Sequence, residues 1–153
     1  MDEKDVKILA ALKNNARLSS QELARKIGLP ITTTYNRTKK LEKEGVIQRY
    51  TIQVDKKKVG KGLTVYIFAQ YNLEKLGSNQ RAGQDIVALL KKQKEIEEIA
   101  FITGDYDIII KVNVADIAEL NEYIVTHILK LPWIARTKTM VVLEEFLPMP
   151  SAY

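Results

Sequence analysis

The sequence predicts an α+β protein made of two parts that differ in their hydrophobic periodicity. Through the first 47 residues, apolar side chains recur at helical spacing between short polar or glycine-containing turns. From residue 63 onward, β-rich runs and helices follow one another in the order βαββαβ. A short alternating run and a linker rich in lysine and glycine separate the two parts. We therefore expect domains at residues 1–47 and 63–153, joined by a hinge strand and linker at 48–62.

Composition excludes several classes of function. The chain has 153 residues, no cysteine and one histidine, so it lacks disulfides, thiolate chemistry and a histidine-clustered metal site. Its acidic start is not followed by the apolar run of a signal peptide, and no run approaches the ~18 apolar residues of a membrane span. We expect a cytoplasmic protein without catalytic residues, cofactor, metal or membrane partner.

Charge is distributed unevenly along the chain. The net charge is +5, but residues 1–62 hold 15 Lys and Arg against 7 Asp and Glu, whereas residues 63–153 hold 9 against 12. Such asymmetry indicates that the first part meets a polyanion and the second does not. A solvated, lysine-rich surface is the alternative that composition alone leaves open.

The basic part is predicted to contain three helices. The first runs from Asp5 to Asn15, with apolar residues near helical spacing. Ser19 and Glu22 have the form of a capping box, so the second helix begins there and ends at Gly28. A tight turn leads to a third helix over Ile31–Glu44. This order predicts a helix-turn-helix domain of the winged-helix-like kind.

The third predicted helix carries the groups that bind nucleic acid. It holds four poorly helix-forming threonines among hydroxyl, amide and guanidinium side chains, which hydrogen-bond base edges and phosphates. We therefore expect double-stranded DNA as a partner. The residues expected to contact bases are Thr32, Thr33, Asn36 and Arg37, and those expected to hold phosphates are Lys39, Lys40 and Lys43.

The run Leu18–Ile47, LSSQELARKIGLPITTTYNRTKKLEKEGVI, resembles the DNA-binding domain of the Lrp/AsnC (feast/famine) transcription regulators. The resemblance implies that the third helix is the recognition helix, with Arg37 and the pair Lys39–Lys40 matching the family's basic positions. The family often has serine where Pro30 stands, so we expect Thr32 to supply the N-cap instead.

The hinge is predicted to be extended. Residues 48–54 alternate in polarity, with Tyr50, Ile52 and Val54 on one side, and this pattern is typical of a strand. The resemblance implies that this strand pairs with its twin from a second subunit. The lysines at 56–58 that follow either contact phosphate or form a solvated loop.

The second part is predicted to be a ferredoxin-like βαββαβ effector domain. Its predicted strands are Leu63–Leu73, Glu97–Thr103, Tyr106–Val114 and Arg136–Phe146, and its predicted helices are Arg81–Gln93 and Asp116–Leu131. The first and last strands carry apolar residues on both faces, while helices cover one face only. We therefore expect a second copy to cover the other face, in a dimer or a higher oligomer such as an octamer.

One turn in this part is a candidate effector site, although glycine and aspartate also suit an ordinary hairpin. By resemblance, a Gly-x-Tyr-Asp turn lies near the amino-acid site of the family. An aspartate would take the ligand's ammonium group, and glycine would let backbone N–H groups approach its carboxylate. The residues expected to bind the effector are Gly104, Asp105, Tyr106 and Asp107, with Thr137, Lys138 and Thr139 beside Arg136 on the last strand.

These observations predict a sequence-specific DNA-binding transcription regulator that senses an amino acid and changes its assembly. An architectural protein that compacts DNA without a regulatory ligand is the alternative. A metabolic enzyme on the same fold is a third class, which the absence of paired catalytic groups opposes.

Overall fold

A computed structural model of the chain describes residues 1–72, 74 and 82–146. The chain divides into two compact units, one of Met1–Gln53, to which Phe146 is assigned, and one of Val54–Glu145. This division falls within the predicted hinge. The predicted start of a helix at Arg81 and the predicted domain end at residue 153 lie outside the described residues. None of the helices in the described part of the chain is long and apolar enough to cross a membrane.

The first unit is a bundle of three helices: α1 at Glu3–Asn14, α2 at Ser20–Ile27 and α3 at Ile31–Lys43. Each helix is too short to be stable alone, so the unit depends on packing of its apolar faces. The buried core that the three helices share consists of Ile8, Ala11, Leu12, Leu23 and Leu41. The predicted helix-turn-helix arrangement is confirmed.

Local capping explains most of the helix ends. The side chain of Ser19 accepts the backbone N–H of Glu22, whose carboxylate in turn accepts the Ser19 N–H at 2.8 Å. Gly28 then ends α2 at a φ of 69°, in the left-handed region. The prediction that Thr32 caps α3 is wrong. Pro30 occupies the N-cap position without a side-chain bond, so Thr32 already lies inside the first turn.

The second unit contains a four-stranded antiparallel sheet with the order β2-β3-β1-β4. Its strands are β1 at Leu63–Tyr71, β2 at Ile96–Phe101, β3 at Ile108–Val114 and β4 at Ile134–Val141. Its helices are α4 at Ala82–Leu90 and α5 at Ile117–Tyr123, which continues as a π-helical turn over Ile124–Ile128. This is the predicted ferredoxin-like βαββαβ arrangement.

The core of this unit lies between the sheet and its helices. On β1, Val65 and Ile67 are fully buried on the helix side, together with the alternate residues of β3. Tyr66 and Phe68 point to the opposite face, where they stay only half-buried. One face of the sheet is thus covered by helices, and the other bears aromatic side chains that no helix or strand of the described residues covers. We call the latter the open face.

Two predicted strands differ from the structure. Residues 48–54, predicted as the hinge strand, have no strand structure, because a strand needs a ladder partner and the described part of this chain offers them none. Ile52 is accordingly 75% exposed. The last strand was predicted to reach Phe146 but ends at Val141. Beyond the bond from Val142 N–H to the Thr64 carbonyl, β1 offers no further partner, since it begins at Leu63.

Candidate DNA-binding helix and effector turn

One face of α3 presents polar and basic side chains to solvent. Thr32, Asn36, Lys39, Lys40 and Lys43 are all exposed and lie close to i, i+4, i+7 and i+11 spacing, which aligns them along one side of a helix. We call these five residues the exposed stripe; Thr33 is half-buried at its edge. Within the described residues, the side chains of Thr32 and Asn36 make no hydrogen bond. They are therefore available to an external partner.

Two lysines of the exposed stripe are paired weakly with neighbouring glutamates. Lys39 Nζ lies 2.7 Å from Glu42 Oε2, and this bond raises the pKa of Lys39, so that the ammonium stays charged at neutral pH. Lys40 lies 3.8 Å from Glu44, with its side chain 68% exposed. Exposed i,i+3 and i,i+4 pairs contribute only ~0.3–0.5 kcal/mol. Either lysine can therefore turn to a phosphate at small cost.

The guanidinium of Arg37 is turned away from the exposed stripe. Its Nη1 is 2.7 Å from Asp2 Oδ2 and 2.9 Å from Asp5 Oδ1, and its side chain is 29% exposed. Arg37 is predicted to contact bases together with Thr32, Thr33 and Asn36, but in the structure its guanidinium is bonded to Asp2 and Asp5 and not turned to the exposed stripe. The signal that was missed is the spacing of Asp2 and Asp5, which is that of a capping box at the start of α1.

The lysines of the linker differ in how closely they are paired with carboxylates. Lys56 lies 2.6 Å from Glu97 and 3.7 Å from Glu145, within a cluster that also contains Lys111. Lys61 pairs with Glu119. Lys58 has its side chain 84% exposed and only a 3.8 Å pair with Asp55. The three lysines at 56–58 thus do not form one uniform solvated run, because Lys56 is held by carboxylates of the second unit.

The candidate effector turn joins β2 to β3 and is tied to the end of β1. Gly104 has a φ of 124°, a conformation that L side chains rarely adopt, while a Cβ there would meet nothing within 4 Å. Asp107 Oδ2 accepts the Tyr71 N–H at 2.8 Å, and the Asp107 N–H donates to the Ala69 carbonyl at 3.0 Å. Glycine is therefore needed here for backbone conformation, and Asp107 holds the turn to the sheet.

Tyr106 belongs to a small aromatic cluster beside this turn. Its ring centroid lies 5.8 Å from that of Phe68 at a tilt of 56°, and the Arg136 guanidinium carbon lies 5.4 Å from the Tyr106 ring centroid. These distances are those of an aromatic pair and of a cation–π contact. Phe68 and Arg136 therefore lie beside the turn on the open face.

The predicted β4 residues do not all face the same side. Thr137 pairs with Ala69 and Thr139 with Ile67, two residues of the helix side, whereas Lys138 pairs with Phe68 of the open face. Alternation along a strand separates Lys138 from both threonines. No single bound molecule on one face of the sheet meets all three side chains. In the described part of the chain, no group of three His, Cys, Asp or Glu residues is placed to hold a metal ion.

Fold and polar surfaces together define a class of protein: a helix-turn-helix domain with a polar, basic outer helix, followed by a ferredoxin-like α+β domain. Comparison with known families identifies both parts. Residues 1–48 match the winged helix-turn-helix DNA-binding family, and residues 73–152 match the Lrp/AsnC ligand binding domain. The chain belongs to the Lrp/AsnC family, whose members are transcription regulators and not enzymes.

Individual relatives agree over almost the full length. The leucine-responsive regulatory protein of Haemophilus influenzae is 32% identical, over 95% of this chain and 85% of the relative. The structure of E. coli AsnC is similar at a TM-score of 0.83 and 29% identity, over 97% of this chain and 95% of that one. A Neisseria meningitidis transcriptional regulator in complex with L-methionine shares the fold at a TM-score of 0.88 and 23% identity, over 100% and 96% of the two chains. This chain is therefore a DNA-binding transcription regulator with an Lrp/AsnC ligand-binding domain.

Proposed function

We propose that the protein recognises a specific DNA sequence through α3, binds an amino acid at the turn of residues 104–107, and changes its assembly when the amino acid binds. The observation that carries the proposal is the exposed stripe on α3, where neutral hydrogen-bonding groups and lysines share one helix face in a unit of excess positive charge. An α-helix with such a face fits the major groove of DNA.

Within the exposed stripe, the proposed roles follow from chemistry. Thr32, Asn36 and the adjoining Thr33 lie toward the start of α3, and their hydroxyl and amide groups suit base edges. Lys39, Lys40 and Lys43 lie in the second half of the helix and are proposed to hold phosphates. In helix-turn-helix proteins the early residues of the recognition helix are the ones that reach bases, which supports this division.

The proposed effector is an amino acid bound near Gly104, Asp105, Tyr106 and Asp107. The L-methionine held by the Neisseria meningitidis regulator of the same fold supports this class of ligand. Asp107 already accepts one backbone N–H through Oδ2, so its other oxygen and the Asp105 carboxylate are the proposed partners of the ligand's ammonium group. From β4, Lys138 on the open face is proposed to contact the ligand. Thr137 and Thr139 lie on the other face and would contact it only if the ligand extends around the edge of the sheet.

Self-association is proposed through the open face. The open face carries charged side chains such as Lys111 and Lys138, and between them lie apolar side chains on neighbouring strands that a second copy of the sheet would remove from water. These apolar side chains are Tyr66, Phe68, Ala100, Ile109 and Met140. The unpaired segment at 48–54, with Tyr50 48% and Ile52 75% exposed, is a further candidate for pairing between two copies. A dimer would present two α3 helices to half-sites about one DNA turn, ~34–36 Å, apart.

The test combines DNA selection with ligand screening on the full chain. Duplexes are selected from a random library by the protein, and the twenty amino acids are screened by thermal shift with sizing of the assembly. A recovered sequence motif, and one amino acid that raises the melting temperature and alters the assembly, are expected. Selection without any motif, together with no amino acid hit, would favour an architectural DNA-compacting protein.

A further inference from the structure

Arg37 borders the inner side of α3. It follows Thr34 by three residues and precedes Leu41 by four, and these two neighbours are buried, at 0% and 3% exposure. Residues at this spacing share one helix face. Arg37 also precedes Lys40 of the exposed stripe by three residues, so it lies between the stripe and the buried face, and its Nη1 is turned away from the stripe to Asp2 and Asp5 of α1.

The partners of Arg37 form a closed network at the first turn of α1. Asp2 Oδ1 accepts the N–H groups of Lys4 and Asp5, while Asp5 Oδ2 accepts the N–H of Asp2. The other oxygen of each carboxylate accepts from Arg37 Nη1, at 2.7 Å and 2.9 Å. Each aspartate therefore uses one oxygen to cap α1 and the other to bind α3.

We propose that Arg37 is a positioning residue for DNA recognition, which holds α3 at a set orientation on the start of α1 through Asp2 and Asp5 and does not itself contact bases. The proposal rests on the proposed use of α3 as the DNA-contacting helix. The terminal nitrogen Nη1 carries two N–H groups on a permanently charged guanidinium, so it can donate one bond to each carboxylate. A small tilt of α3 would move all residues of the exposed stripe relative to the groove together.

Electrostatics supports this assignment. The Asp2 N–H, together with the Arg37 guanidinium, lowers the pKa of the Asp5 carboxyl, so that it is charged at neutral pH. The Asp5 side chain is only 12% exposed. If Arg37 turned outward to a base, it would leave two adjacent carboxylates, one of them largely buried, without their counter-charge.

The decisive variant is Asp5→Asn, because two explanations predict opposite signs. If the amide oxygen still accepts the Asp2 N–H, the amide NH2 faces Arg37 and cannot accept from it, so the bond to Arg37 is lost together with one negative charge. If Arg37 positions α3, Asp5→Asn lowers affinity for a duplex selected by the wild-type protein by about tenfold, comparable to the loss of one good base contact. If Asp5 merely repels phosphate or restrains Arg37 from reaching DNA, affinity rises.

Matched variants complete the experiment. Arg37→Ala is expected to reduce discrimination at every base pair that α3 contacts. The double variant of Arg37→Ala and Asp5→Asn is expected to bind the selected duplex with nearly the same affinity as either single variant, because both remove the same contact. Glu3→Gln removes a similar charge from the same turn and is expected to keep full affinity, because the ion pair of Glu3 in the described residues is with Lys7 and not with Arg37. If circular dichroism shows that Asp5→Asn does not fold, Asp2→Asn, which alters the more exposed partner of Arg37, replaces it in the comparison.

The opposite result overturns the inference. In that case Asp5→Asn binds the selected duplex with unchanged or raised affinity, and Arg37→Ala loses discrimination at a single base pair. Failure of the proposed function has a separate signature, because Asn36→Ala and Lys40→Ala, which leave the network at Asp2 and Asp5 intact, would then bind the selected duplex as the wild type does.

Discussion

The outer face of α3 and the turn at residues 104–107 both carry polar side chains, but the two sets differ in how far they are already bonded within the chain. On α3, the side chains of Thr32 and Asn36 make no hydrogen bond within the described chain and are exposed. In the turn, Asp107 is tied to the backbone of Tyr71 and Ala69, and Tyr106 packs with Phe68 and Arg136. The proposed DNA-contacting surface on α3 is built from residues of one chain, because its partner is an external polymer. At the proposed ligand site, groups that already support the sheet have fewer atoms left to bind a ligand.

The largest expected effect comes from Asp107, where support of the sheet and the proposed ligand site coincide. Asp107→Ala leaves the partly buried Tyr71 N–H without its acceptor, which costs ~1–3 kcal/mol of unfolding free energy. It is also expected to abolish the response to the amino acid and to spare DNA binding. Trp133, the only tryptophan, lies in the second unit, so its fluorescence during denaturation measures the loss.

Asp107→Asn separates the two roles. Its amide oxygen can still accept from Tyr71, so stability is expected to remain close to wild type while binding of the ligand's ammonium group weakens. Unchanged ligand affinity in both variants would remove Asp107 from the site and leave it a purely structural residue.

Asn36 tests the exposed face of α3, the first of the two regions compared. Asn36→Ala is expected to weaken binding to a selected duplex by ~1–3 kcal/mol, the usual value of a bidentate base contact, without changing the melting temperature. Lys43→Ala, on the same face, should instead weaken binding to all sequences and reduce the salt slope by about one. A fall in stability without a change in base preference would contradict the assignment of Asn36 to base contact.

Gly104 is expected to have a smaller effect. Gly104→Ala places a side chain at a φ of 124°, which costs on the order of 1 kcal/mol in conformational strain, and no steric clash adds to it within the described residues. Denaturation followed by Trp133 fluorescence measures it. Gly28→Ala, at a φ of 69° in the first unit, is the matched control, since it strains the chain without touching the turn. Unaltered stability in Gly104→Ala would show that the turn relaxes into another conformation.

The acid dependence of the first unit gives the smallest and most specific signal. Backbone N–H bonds first, and then Arg37, lower the pKa values of Asp2 and Asp5 below their ordinary 3.8. Groups with a lowered folded pKa stabilise the fold above about pH 4, and this stabilisation is lost as pH falls further. The drop in melting temperature between pH 6 and pH 3, followed by circular dichroism, is expected to be smaller in Arg37→Ala than in wild type. Lys43→Ala, which leaves the bonds of Arg37 to Asp2 and Asp5 intact, should show the same drop in melting temperature as wild type.

Features that depend on near neighbours were predictable. The capping box of Ser19 and Glu22, the left-handed end at Gly28 and the N-cap at Asp116, which accepts the Glu119 N–H at 2.9 Å, all involve residues within one helical turn. The βαββαβ order followed from alternation and from helical stripes in the same way. The particular assignments of DNA and effector residues stay predictions.

Features that depend on partners were not predictable from the pattern alone. Alternation at 48–54 is a property of the side chains, but a strand also needs a neighbouring backbone, which the described part of this chain does not supply. Likewise, Thr137 and Thr139 are as polar as Lys138, yet the pairing register with β1 turns them to the opposite face. Residue type and spacing indicate what a segment can bind, and pairing decides which side it presents.

The amino-acid pattern alone therefore indicates the two-part organisation and both ends of α2, because hydrophobic periodicity and caps act over three or four residues. The family followed from the resemblance of the run Leu18–Ile47. Tertiary structure decides the bonds of Arg37 to Asp2 and Asp5, 35 and 32 residues away, and the bond of Asp107 to the Tyr71 backbone, 36 residues away. Such contacts form only after packing has brought distant segments together. In this chain they determine which charged side chains are left for DNA and ligand.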